Sequence, residues 1–334
     1  MNVLVIGGAG YIGSHTVVEL VEAEHNPIIV DNFVNSNRSV LKSLEKLLNK
    51  KVTSYEVDYA DESAMKKIIQ RESIEAIIHF GALKKVGESV KEPLKYYDNN
   101  VVGLVRLMKV VNDTGIKHFV FSSSCTVYGE PDRVPVTEAS PMKPATSPYG
   151  ATKQIGEMIV KDVSSVSKTL NALSLRYFNP IGAHPSALIG ELPLGEPENL
   201  IPIVTETAAG IRKQLVVYGD DYDTPDGSCI RDYIHVVDLA KAHVQALSYL
   251  IKKKPSHYDA INVGTGKGTS VLEVIRTFEK TTNAKLSYVI GKRRAGDIVS
   301  TYAEVDKAKK ELNWQAQKTL ADALKDAWSW QQTL

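Results

Sequence analysis

The sequence predicts a doubly wound α/β fold: a parallel sheet covered by helices on both faces, followed by a smaller mixed α/β portion. Three observations carry that expectation. Short β-branched runs alternate with longer amphipathic stretches through the first half of the chain. Those runs are apolar throughout, the pattern of strands buried on both faces. A glycine-rich turn follows the first run at residue 7, between a strand and a helix.

Taken in order, strands are expected at 3–6, 28–30, 53–57, 76–79, 118–122 and 172–177. Each runs into polar or glycine residues that end a ladder. Helices are expected at 16–24, 62–71 and 94–111, and another opens at Tyr149. The βαβα rhythm implies a layered α/β domain. It breaks near residue 180, where Asn179-Pro180-Ile181-Gly182 is turn-rich. A first domain is therefore expected over 1–180 and a second over 181–334. The second holds a strand at 215–218, helices at 236–251 and 271–281, a strand at 286–290 and a closing helix at 320–330. The run 260–263 reads as a strand that rejoins the first sheet, so a segment near 230–265 is expected to return to the first domain.

At 334 residues the chain has the length of about two domains. Forty Lys and Arg face 39 Asp and Glu. That balance lacks the basic surplus with which nucleic-acid binders displace phosphate counterions, so no nucleic-acid partner is expected. Two cysteines, Cys125 and Cys229, are too few for a secreted disulfide framework. No basic stretch precedes the first apolar run, so a signal peptide is not expected. No apolar run approaches the roughly 20 residues of a membrane span. These readings favour a cytoplasmic protein without a membrane partner. The eight His are scattered, with no CxxC or HExxH pattern, so no metal site is expected.

The turn reads Gly7-Gly8-Ala9-Gly10-Tyr11-Ile12-Gly13. Glycines here permit a tight turn and a close approach to a pyrophosphate, which then meets the N–H groups of the following helix. Asp31 ends the second strand about 20 residues on, where an acid accepts from a ribose 2′-hydroxyl and repels a 2′-phosphate. The expected cofactor is therefore NAD in a Rossmann-type sheet. Asp58, after the third strand, is either an adenine ligand or an ordinary turn acid. Tyr149 and Lys153 are four residues apart on one helix face. A nearby ammonium favours the phenolate, which makes Tyr149 a plausible acid/base toward an alcohol. Ser122, Ser123 and Ser124 end the fifth strand, where open α/β sheets hold ligands. One hydroxyl there is placed to meet a substrate oxygen, although a serine run is also ordinary turn chemistry.

Together these strings resemble the extended short-chain dehydrogenase/reductase family and, within it, the UDP-glucose 4-epimerases. Further matching strings are His79-Phe80-Gly81-Ala82-Leu83-Lys84, Tyr96-Tyr97-Asp98-Asn99-Asn100, Ser124-Cys125-Thr126-Val127-Tyr128-Gly129, Arg176-Tyr177-Phe178-Asn179-Pro180 and Arg231-Asp232-Tyr233-Ile234-His235. The resemblance implies a tightly held NAD, a UDP-hexose substrate and a homodimer. It implies NAD contacts at Gly7, Gly10, Tyr11, Ile12, Gly13, Asp31, Asn32, Asn35, Ser36, Asp58, Tyr59, Phe80, Lys84, Asn99, Ser122, Tyr149, Lys153 and Phe178. It assigns Tyr149 as the acid/base at the sugar 4-hydroxyl, Ser124 as its hydrogen-bonded neighbour, and Lys153 to the nicotinamide ribose. It places substrate at Ser124, Tyr149, Asn179, Asn199, Leu200, Val216, Tyr218, Arg231, Arg294 and Asp297, where the guanidinium forks suit a diphosphate. Two positions refine the expectation. Related dehydratases carry Asp-Glu where this chain has Cys125 and Thr126, which disfavours dehydration. Thr301 aligns with a position where Tyr restricts the pocket, so the chain is also expected to take UDP-N-acetylhexosamines. Two other classes stay open: a net nucleotide-sugar oxidoreductase or decarboxylase, and a non-catalytic NAD-binding regulator.

Overall fold

The computed structural model describes residues 1–294 and 297–334. Its first part runs β1 (Asn2–Ile6), α1 (Tyr11–Glu22), β2 (Asn26–Asp31), α2 (Ser39–Leu48), β3 (Ser54–Glu56), α3 (Glu62–Arg71), β4 (Ala76–His79), α4 (Val86–Lys91) and α5 (Pro93–Tyr97). It continues through α6 (Gly103–Thr114), β5 (His118–Ser124), α7 (Pro148–Val166) and β6 (Asn171–Tyr177). A seventh strand, Tyr258–Val263, pairs with β6 from far along the sequence. The sheet order is Tyr258–Val263, β6, β5, β4, β1, β2, β3, and every pairing is parallel. Strand order reverses between β1 and β4. Ligands of such sheets sit at the carboxyl ends of the strands beside that reversal, which is where β1, β2, β4 and β5 end in this chain.

The strands are buried on both faces, as their composition demands. Val3, Leu4 and Val5 of β1 and Ile28, Ile29 and Val30 of β2 are fully enclosed. One sheet face packs against α1 and the helix Val236–Ile251, with Val17, Leu20, Leu239 and Leu247 in the shared core. The other packs against α3, α6 and α7 through Met65, Ile69, Leu107, Val111 and Val160.

Two helices differ from expectation for physical reasons. Helix α1 begins at Tyr11 rather than near residue 16, because its opening turns bury Gly13, Ser14, His15 and Thr16, which show no apolar period. The expected single helix over 94–111 is broken into α5, a π-helical turn at Asp98–Val102, and α6. Asn100 sits in that turn. Its amide accepts from Leu83 N (2.9 Å) and donates to Leu83 O (3.0 Å) and Thr152 Oγ1 (3.1 Å). A buried amide must find such partners, and the wider turn aims it at them.

The later chain forms a second core around Ile201, Val204, Val217, Phe278 and Leu324. It carries the parallel pair Leu215–Tyr218 and Tyr288–Gly291 and the helices Leu200–Ala208, Val271–Thr282 and Leu320–Gln331. Ile230–Arg231 is the middle of a small sheet between Thr269–Ser270 and Ser300–Thr301. Among the described residues, no helix is long and apolar enough to cross a membrane.

Candidate active site

The glycine turn is built by two different demands. Gly7 has φ +77° and donates its N–H to Val30 O at 2.8 Å, a conformation only glycine adopts without strain. Gly13 is a matter of space: a Cβ there would lie 2.2 Å from Gly7 O. Gly10 caps α1 without any side-chain bond, so the first N–H groups of the helix are free to meet an anion. Asp31 is buried and fixed: Oδ2 accepts from Ala9 N (3.0 Å), and Oδ1 accepts from Phe33 N (2.9 Å) and Ser36 Oγ (2.8 Å). The carboxylate therefore braces the glycine turn as well as facing the β2 terminus.

The other expected cofactor residues ring the same strand ends. Asn32 Nδ2 donates to Asp58 Oδ2 at 3.1 Å. Tyr59 donates to Asn99 O, and its ring fills the space above Gly81 and Gly103. The Phe80 ring lies tilted against His243, with centroids 4.8 Å apart. Ile12 packs on the core and Phe178 is buried with Val127, Tyr128 and Ala303. Tyr11 donates to Gly182 O at 2.6 Å, joining α1 to the chain after β6. Asn35 is exposed beside Ser36. A glycine cradle, an uncapped helix end and a braced acid together fit a dinucleotide with a free ribose 2′-hydroxyl.

Helix α7 starts at Pro148 with Ser147 as its cap, whose Oγ accepts from Gly150 N at 3.1 Å. That cap sets Tyr149 at the first turn and Lys153 one turn deeper. Tyr149 faces the Ser124 hydroxyl, and burial pushes its phenol up to about 12 against the pull of that hydrogen bond. Lys153 Nζ donates to Ser122 O at 2.6 Å and lies 5.8 Å from the Tyr149 ring centroid. Burial brings Lys153 down to about 8, opposed by Glu157. In the protein alone, burial governs the phenol. Cys125 is a free thiol beside these groups, pushed up to about 11 by burial, with Arg231 near enough to oppose the shift.

Beyond Ser124 and Tyr149, the expected substrate residues fall into four groups. Arg231 and Thr301 are paired in register, with Thr301 buried. Val216 and Tyr218 are the outward residues of their strand, and the Arg294 guanidinium lies 5.5 Å over the Tyr218 ring while pairing with Asp297 at 2.7 Å. Asn199, just ahead of Leu200 at the helix start, donates to Glu191 Oε1 at 2.7 Å. Asn179 continues from β6 in the short strand Asn179–Ile181. Glu191 also holds Lys84 at 3.0 Å, so one acid links an expected cofactor residue to an expected substrate residue. No motif marks Glu191. His243, which meets the Tyr177 hydroxyl, is likewise unmarked. Glu157 had a signal, since it follows Lys153 by four residues on the same helix face.

A family model described as GDP-mannose 4,6 dehydratase matches residues 4–327. The chain is similar to a UDP-glucose 4-epimerase of Dictyostelium discoideum, 49% identical over 99% of this chain and 95% of that one. It is also similar to the structure of a UDP-glucose 4-epimerase from Stenotrophomonas maltophila with bound NAD and formylated UDP-arabinopyranose. That likeness has a TM-score of 0.97 and 45% identity, covering 100% of this chain and 98% of that one. A Bifidobacterium longum UDP-glucose 4-epimerase in complex with NAD+ and UDP matches with a TM-score of 0.95 and 45% identity, over 100% and 98% of the two chains. Those matches run through nearly the whole chain. The chain belongs to the extended short-chain dehydrogenase/reductase family and, within it, to the UDP-glucose 4-epimerases.

Proposed function

We propose that this chain interconverts UDP-glucose and UDP-galactose, using NAD that stays bound through turnover. The observation that carries the reading is Tyr149 facing Ser124, one helical turn from Lys153, at the strand ends above the glycine cradle. Tyr149 takes the proton of the sugar 4-hydroxyl and returns it to the 4-ketone oxygen when reduction occurs on the opposite face. Ser124 holds that oxygen, and Lys153 holds the ribose and supplies positive charge. Bound NAD would supply the hydride acceptor and donor for C4. Gly7, Gly10, Gly13, Tyr11, Ile12, Asp31, Asn32, Asn35, Ser36, Asp58, Tyr59, Phe80, Lys84, Asn99, Ser122 and Phe178 would hold the cofactor. Asn179, Asn199, Leu200, Val216, Tyr218, Arg231, Arg294 and Asp297 would hold the nucleotide. Holding the substrate by its nucleotide leaves the sugar free to turn. Cys125 and Thr126 offer no acid/base pair for expelling water at neutral pH.

The test is conversion of UDP-galactose to UDP-glucose by purified protein with no NAD added. A stoichiometric requirement for NAD would point to a net oxidoreductase, and no conversion would refute the reading. The small Thr301 supports acceptance of UDP-N-acetylhexosamines as well. We further propose the division into domains 1–180 and 181–334, with a segment near 230–265 returning to the first, a cytoplasmic location and a homodimer. Leu94, Val102, Val105 and Met158 are apolar yet exposed on α5, α6, α7 and the π-helical turn, which supports pairing through those helices. Light scattering at micromolar concentration should give twice the 36.7 kDa chain mass.

A further inference from the structure

We infer that Glu157, clamped by Arg176, is a positioning residue that fixes the seat of Lys153 and keeps that lysine charged. Its catalytic part rests on the reading above. Lys153 and Glu157 lie one turn apart on α7, 4% and 3% exposed. Glu157 Oε1 and Oε2 accept from Arg176 Nε (2.9 Å) and Nη2 (2.7 Å), the two-pronged arrangement that makes such pairs strong and directional. Oε1 also accepts from Ser123 Oγ. One carboxylate thus ties α7 to both β5 and β6. The β5 link is local to the chemistry: Ser123 stands between Ser122, whose carbonyl receives Lys153, and Ser124, which faces Tyr149. The β6 link precedes Tyr177 and Phe178.

The clamp is itself held. Arg176 Nη1 donates to Tyr128 Oη at 2.9 Å, and the Tyr128 hydroxyl donates to Asn262 Oδ1 at 2.6 Å. Asn262 Nδ2 then donates to Val136 O at 2.9 Å. Buried ion pairs are poor devices for stability alone, because apolar residues of equal volume serve as well. A charged group here has another use. Lys153 is faced by Tyr149 on its own helix, by the Phe121 ring (5.2 Å) and Ser122 carbonyl of β5, and by His79 of β4. His79 stays neutral, held down to about 3 by burial with Lys153 adding to the effect. Arg176 and Tyr177 approach from β6. Tyr128 and Tyr258 face Glu157 from the turn after β5 and from the strand Tyr258–Val263. Of these groups, Glu157 alone is a carboxylate, and its charge opposes the burial that favours neutral Lys153.

The test is a pH titration of [6-13C]lysine-labelled protein by NMR, with the Lys153 resonance assigned by its loss in Lys153→Met. In Glu157→Gln, Arg176 is left uncompensated and the Lys153 midpoint should fall by about one pH unit or more. In Glu157→Gln/Arg176→Met, both charges are gone and the midpoint should lie between the single variant and wild type. If the single variant does not fold, the double variant decides, with a midpoint below wild type expected. The alkaline limb of UDP-galactose turnover should move with the resonance, through kcat more than KM, and Glu157→Asp should restore it. An unchanged midpoint in a variant that melts like wild type overturns the inference. So does a double variant shifted as far as the single one. If wild type fails to convert UDP-galactose, the functional reading falls, and the resonance still decides the role of Glu157.

Discussion

Gly13 and Gly10 are both glycines of the phosphate turn, yet the structure gives them separate reasons, and two alanine variants should separate them. In Gly13→Ala the new methyl would stand 2.2 Å from Gly7 O and 2.9 Å from Gly8 Cα. Ordinary contact needs about 3.4 Å, so α1 must retreat by about 1 Å from the turn or the turn must open. Forcing a methyl into such packing costs about 1–3 kcal/mol, and the melting temperature should fall by several degrees. The same retreat carries the helix N-terminus away from its anion. In Gly10→Ala the nearest atom is Gly7 O at 3.2 Å, a few tenths too close, and φ −76° suits alanine. The fold should survive, but the methyl stands where pyrophosphate must approach. Purified variants would be assayed by thermal melting and by NAD released on acid denaturation. Gly13→Ala should lose both stability and NAD, whereas Gly10→Ala should lose NAD alone. A Gly13→Ala protein that melts like wild type and retains NAD would refute the spatial argument.

Tyr149→Phe should lower turnover by about 10²–10⁴, the usual worth of a positioned acid/base, and near-normal turnover would remove Tyr149 from its role. Lys153 is depressed to about 8, so its charge is present below that pH and lost as pH rises through it. Turnover should accordingly decline on an alkaline limb near pH 8, and a flat profile to pH 10 would contradict the assignment. Thr301→Tyr should spare UDP-galactose and suppress UDP-N-acetylgalactosamine, because the larger ring occupies the room beside Arg231; equal effects on both sugars would sink the steric reading. Glu19 is raised to about 7, chiefly by burial. Its native form binds a proton that the unfolded form has released, so stability falls as pH rises from about 4.5 to 7. Glu19→Gln should gain about 1 kcal/mol at pH 8 and nothing at pH 4, read from denaturant midpoints.

The sheet was legible because its strands are apolar on both faces, and a run such as Val3-Leu4-Val5-Ile6 has few other uses in a soluble chain. The Tyr149–Lys153 pair was legible because helix geometry turns a spacing of four into a shared face. What the sequence hid was pairing across distance. Glu157 and Arg176 are 19 residues apart and meet only because α7 crosses over to β6. Lys84 meets Glu191 across 107 residues, and no local pattern encodes that contact. The start of α1 was hidden for another reason: a glycine kept for close approach and the buried polar residues Ser14, His15 and Thr16 erase the apolar period that announces a helix.

The phenol of Tyr149 sets the last requirement. At about 12 it lies roughly five pH units above neutrality, or about 7 kcal/mol at 1.36 kcal/mol per unit. A cation 5.8 Å away, the distance of Lys153 from the ring centroid, is worth about 3 kcal/mol at an effective dielectric of about 20. Lys153 alone therefore leaves about 4 kcal/mol unmet, and the base stays almost wholly protonated at neutral pH. A second positive charge at about 4 Å would supply about 4 kcal/mol more, and the oxidised nicotinamide ring of bound NAD would be such a charge. The base should thus be formed only in the loaded protein. Phenolate absorbance near 295 nm, taken as the difference between wild type and Tyr149→Phe, should titrate several pH units lower with NAD bound than after NAD is stripped. Equal midpoints in the two forms would refute a part for the nicotinamide charge in forming the phenolate.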